Sequence, residues 1–134
     1  MTPSAARARL RRIWIVIGWI GVGVVVYFSL IPRPPELDIE QGDKIQHFLA
    51  YGSLMLWFGQ VMTTPPSRRL SGLLLVILGV GLEVAQSFTG YRSYSYADMA
   101  ANTTGVLIGW ALSPPRGPQV FERMLSRFAP GRVL

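Results

Sequence analysis

GLEVAQSFTGYRSYSYADMAAN, residues 81–102, decides how the rest of this 134-residue chain is read, because it joins two apolar runs and sets Glu83, Gln86, Arg92, Asp98 and Asn102 where they meet. An ionised carboxylate at mid-bilayer depth costs about 2.5–3.5 kcal/mol on insertion scales, so an acidic residue inside a membrane helix needs a partner, a water-filled cavity or a task. The run before it, Gly72 to Phe88, is apolar except for Glu83 and Gln86 near its far end. The run after it opens at Asp98, carries Asn102 one turn in, and continues to about Leu112, where Ser113, Pro114 and Pro115 stop it. Thr89 to Ala97 reads as the loop between them.

Further out, TTPPSRRLS, residues 63–71, reads as a short turn. Before it a second span runs from Lys44 or Ile45 to about Met62, with His47 in its first turns and Tyr51 one turn on. A first span, Ile13 to Ile31, is uncharged and at about 1.5 Å per residue covers a roughly 30 Å hydrocarbon core. It follows Arg7, Arg9, Arg11 and Arg12 and ends at Pro32, Pro34 and Pro35. A cleaved leader also begins with basic residues and an apolar stretch. This run, however, exceeds the usual core of about 7–15 residues and lacks a small-residue cleavage site. The expected fold class is an all-α polytopic membrane protein, a four-transmembrane-helix bundle. Residues 1–12 form a basic N-terminus, 13–112 the membrane unit and 113–134 a tail.

Composition agrees. Half the residues are hydrophobic and the mean hydropathy is positive, as in a membrane protein. There is no cysteine, which excludes disulfides, a thiol nucleophile and thiolate metal ligation. A single histidine excludes a multi-histidine centre, so no metal and no cofactor are assigned. The formal charge of +6 does not indicate nucleic acid, because the basic residues lie between apolar runs and not along one soluble face.

Four spans put both termini on one side. That side holds Arg7, Arg9, Arg11, Arg12, Arg68, Arg69, Arg116, Arg123, Arg127 and Arg132, ten of the 13 positive residues, against Arg33, Lys44 and Arg92 opposite. Lys and Arg are retained on cytoplasmic flanks, so both termini are expected in the cytoplasm. Trp14, Trp110, Tyr27 and Phe28 fit interfacial anchoring and fit packing equally. In the tail, Val120, Phe121, Met124, Leu125 and Phe128 share one helical face, as in a short helix lying on an anionic leaflet. Gly105 and Gly109 make a GxxxG spacing that supports close helix packing without naming a partner.

This topology brings three helix ends to one depth: Asp43, Lys44 and His47; Glu83 and Gln86; Asp98 and Asn102. The spacings of three and four let each pair share a face, giving one outward-opening polar pocket with Arg92 on the loop above it. Plainer explanations exist for each member. Asp98 can be an N-cap, His47 can sit at a wet interface, and Glu83 can lock the bundle by pairing with Arg92 or Lys44.

The segments DKIQHFLAY (43–51), GLEVAQ (81–86), Arg92 and ADMAANTTG (97–105), in this order and spacing, resemble the VanZ-like family of small bacterial membrane proteins. The resemblance covers most of the chain. It implies that Asp43, Lys44, His47, Tyr51, Glu83, Gln86, Arg92, Asp98 and Asn102 occupy the family's characteristic positions, in a multi-pass protein of the bacterial cytoplasmic membrane. The family is named for a protein associated with low-level teicoplanin resistance, a pointer to the cell envelope that does not assign resistance to this chain.

Two functions follow. In the first, the chain binds: the pocket holds a lipid-linked or cell-wall-related ligand through Asp43, Lys44, Tyr51, Gln86, Arg92 and Asn102, or the spans dock another membrane protein. In the second it is an enzyme at the outer leaflet, with His47 as acid/base, Glu83 or Asp98 as its carboxylate partner, and Lys44 or Arg92 holding a phosphate or carboxylate. No serine sits in a nucleophile motif, which leaves a covalent mechanism without support. Transport is disfavoured because the cytoplasmic half of the spans lacks ionisable residues to continue a relay.

Overall fold

A computed structural model describes residues 2–130; Arg132 of the expected positive flank lies outside them. Five α-helices and, among the described residues, no strands make up the chain: α1 (Pro3–Leu30), α2 (Gly42–Gly59), α3 (Pro65–Ser87), α4 (Tyr96–Leu112) and α5 (Val120–Phe128). The Thr2 hydroxyl accepts the Ala5 N–H, so α1 starts ten residues before the apolar run and carries its arginines on a continuous helix.

The expected turn at residues 63–71 is corrected: α3 begins at Pro65. Thr64 and Ser67 form a reciprocal capping box, and proline is tolerated at a first helical position because its missing N–H would have no intrahelical partner there. The start of α4 is corrected too. Its N-cap is Ser95, whose hydroxyl accepts the Asp98 N–H, so Asp98 lies inside the first turn with its carboxylate free for other contacts.

By length and composition, α1 and α3 are the helices able to cross a membrane, two where four crossings were expected. At 18 and 17 residues α2 and α4 extend about 27 and 26 Å, just under the hydrocarbon thickness, and both begin with polar residues. Apolar side chains cover the outside of the helices as well as filling the core, and several polar ones lie inside. Ile17, Trp19 and Ile20 of α1, Leu73, Leu74 and Ile77 of α3, and Leu107 of α4 face outward, while Glu83, Gln86, Asp98, Asn102 and Ser113 are buried. Apolar surface of that extent on three helices requires lipid or another apolar cover.

The centre of the fold is the α2–α4 contact, which glycine permits. A Cβ on Gly105 would strike the Phe48 carbonyl oxygen, one on Gly109 would come within 2.6 Å of the Gly52 carbonyl oxygen, and one on Gly52 within 3.2 Å of the Gly105 carbonyl oxygen. The GxxxG spacing therefore serves an intramolecular contact, backbone against backbone. Tyr51, Leu54, Met55, Phe58, Leu75 and Val106 fill the core around it.

Helix α1 joins at both ends. Trp14 and Trp57 stack with centroids 3.9 Å apart, and each indole N–H donates to the other's backbone carbonyl, at 2.9 and 2.8 Å. At the opposite end Gln86 Nε2 donates to the Ser29 carbonyl at 2.9 Å, and the Tyr91 hydroxyl donates to that of Leu30. The tail helix is not simply a surface float. Phe121 and Leu125 are buried with Val61 against Leu10, Trp14, Ile15 and Met62, and Gln60 Oε1 accepts the Val120 and Phe121 N–H groups in place of a local N-cap. Val120 and Phe128, on the same expected face, are exposed.

Candidate functional site

The polar residues of α2, α3 and α4 do meet, at the end of the molecule away from α5. Close α2–α4 packing sets His47 Nδ1 2.9 Å from Asn102 Oδ1. An amide oxygen only accepts, so Nδ1 carries a hydrogen, and Nε2 turns the other way, toward Asp98 Oδ2 at 3.8 Å. Glu83, 1% exposed, approaches from α3 with Oε1 3.9 Å from His47 Nδ1. Gly79, one turn before Glu83, makes room: a Cβ there would come within 3.1–3.2 Å of Asn102 and Tyr51.

The expected Glu83 lock through Arg92 or Lys44 is corrected. Glu83 Oε2 accepts the backbone N–H of Ser95 at 3.0 Å, tying α3 to the residue that caps α4. Lys44 instead lies between Asp43 Oδ2 at 2.6 Å and Asp98 Oδ1 at 3.1 Å. The second contact is an ion pair outside hydrogen-bonding geometry, which leaves Asp98 Oδ1 buried without a hydrogen-bond donor.

The nine residues singled out divide into two groups. His47, Glu83, Asp98 and Asn102 form one cluster, which Lys44 and Asp43 extend toward the surface. Tyr51, Gln86 and Arg92 contribute instead to a neighbouring cavity of about 490 Å³, which His47 and Asp43 also border. Its remaining wall comes from Val24, Val25, Phe28 and Ser29 of α1, from residues 34–37 of the following loop, Glu36 among them, and from Gln46, Leu49 and Ala50 of α2. The cavity is thus apolar along the helices and polar at the end where His47, Gln86 and Arg92 stand. Among the described residues Arg92 makes no ion pair.

Sequence reasoning missed Ser95 and Ser29, one capping α4 and feeding Glu83, the other anchoring Gln86 through its carbonyl. Ser95-x-x-Asp98 has the spacing of a capping sequence and was the available signal. A backbone carbonyl such as that of Ser29 leaves no trace in residue type.

No solved structure matches the chain. An uncharacterized protein of Schizosaccharomyces pombe, C11E3.10, is 29% identical over 121 residues, covering 84% of this chain and 70% of the relative. The family model described as VanZ/LLP1 matches residues 6–116, taking in all four helices that build the cluster and its cavity. With more than half of its length matched, the chain belongs to the VanZ/LLP1 family.

Proposed function

We propose that this chain is a four-span membrane protein, residues 13–112 forming its membrane unit, that binds an amphiphilic cell-envelope ligand in a pocket opening at the outer leaflet. The observation that carries the reading is the two-faced cavity: apolar walls from α1 and α2 suit acyl or polyprenyl chain, and the polar end at His47, Gln86 and Arg92 suits a headgroup. Arg92, free of an ion pair among the described residues, favours an anionic headgroup, phosphate or carboxylate. Same-side termini are supported by Arg7 bound to Glu122 of α5 at 3.0 Å and by Arg11 donating to the Val61 carbonyl, which gather the N-terminus, the α2–α3 turn and the tail at one end.

The experiment is to purify the protein from native membranes in mild detergent and identify the lipids that stay bound by mass spectrometry. A lipid-linked anionic species retained by the wild type, and depleted several-fold in well-folded Arg92→Gln, is expected. Equal retention by both proteins defeats the reading. A second reading, an enzyme with His47 as acid/base, draws on the imidazole's place between Glu83 and Asp98. Chemical conversion of the retained lipid by the wild type but not by His47→Gln is what that reading requires.

A further inference from the structure

We propose that His47, Glu83 and Asp98 form a site for one divalent transition-metal cation. One donor atom from each lies within 4.8 Å of those from the other two, on three different helices. The electrostatics of the cluster ask for a cation. With Nδ1 at Asn102, His47 Nε2 faces Asp98 Oδ2 at 3.8 Å, and Glu83 Oε1, from a side chain 1% exposed, stands 3.9 Å from Nδ1, so two carboxylates flank one imidazole. Asp98, itself 8% exposed, gives Oδ1 to the Lys44 ammonium at 3.1 Å and turns Oδ2 to His47. Three carboxylates, of Asp43, Glu83 and Asp98, share the one ammonium of Lys44, which pairs directly with two of them. Lys44 need not leave, because Asp43 holds it at 2.6 Å.

The surroundings resemble the outer shell that metal ligands usually have. Asn102 Oδ1 fixes the His47 ring and its tautomer, and the Ser95 N–H occupies Glu83 Oε2 so that Oε1 is the oxygen turned to the cluster. One imidazole and two carboxylates, with no thiolate, suit Zn²⁺, Mn²⁺ or Co²⁺ better than Ca²⁺, which takes six to eight oxygens. Bonds of about 2.0–2.2 Å require the three donors to close by roughly 1 Å, within reach of side-chain adjustment. Three protein ligands leave a further position for water or a ligand oxygen. This site stands or falls separately from the amphiphile pocket, since its test uses metal alone.

His47 is the chain's single histidine, which makes the test specific. Protein carrying a histidine-free affinity tag is stripped with chelator, loaded with Co²⁺ or Zn²⁺ in detergent, and measured by calorimetry, visible absorption and X-ray absorption fine structure. Expected are one ion per chain and a shell containing one imidazole and oxygen donors at about 2.0–2.2 Å. Glu83→Gln, Asp98→Asn and His47→Gln should each lose binding, and exposed Asp38→Asn should bind as wild type. If a variant fails to fold, the wild-type shell decides alone: an imidazole in it can come only from His47. Folded wild type that retains no metal, a shell without imidazole, or binding unchanged in the folded variants overturns the proposal.

Discussion

Ser95 shows how much rests on one small residue. Its hydroxyl caps α4 and its N–H satisfies Glu83, so the helix start and the buried carboxylate share a fixed point. Ser95→Ala removes the cap and keeps the N–H, and should lower stability in detergent by about 0.5–2 kcal/mol, read from thermal unfolding. Asp98→Asn leaves that cap intact and should unfold close to wild type, since its side chain does not perform the capping expected of it. Much of the cluster was legible because ionisable residues in apolar surroundings stand out. Its wiring was not, because the donor to Glu83 is a backbone amide and the partner of Lys44 depends on which helix faces meet.

Glycine sets the spacing of the elements. Gly105→Val drives a branched side chain into the Phe48 backbone, pushes α4 off α2 and lengthens the His47–Asn102 contact. Overpacking of this kind typically costs about 1–3 kcal/mol or more. Gly81, with open space around its would-be Cβ, is the comparison: Gly81→Ala should be neutral or stabilising, up to about 1 kcal/mol, through helix propensity. Differential scanning fluorimetry of the two variants checks both signs. Helix existence was legible throughout from apolar runs and prolines. The turn at 63–71 was misread because two prolines look like a stop, although here they sit at the first positions of α3 behind the Thr64 cap. The GxxxG spacing was readable while its partner was not, since Gly52 on α2 carries no matching repeat.

On the scale of the whole molecule, most arginines gather at one end and the acidic cluster lies at the other, an asymmetry that the proposed topology turns into a test. Reporter fusions after Arg69 and after Arg127 should both behave as cytoplasmic, and one inserted between Glu36 and Gln41 as external; the reverse pattern would turn the pocket to the other leaflet. The tail helix adds a consequence in time. Nine residues do not hold a helix in water, and α5 takes its N-terminal cap from Gln60 and its apolar bed from Trp14, Ile15, Val61 and Met62. It follows α1 to α4 in the chain, and the segments it packs on, from α1 and the α2–α3 turn, are made much earlier. A chain whose first helix has failed to dock leaves Phe121 and Leu125 without Leu10, Trp14 and Ile15 to cover them. The docking of α5 thus depends on that of α1, at the other end of the sequence.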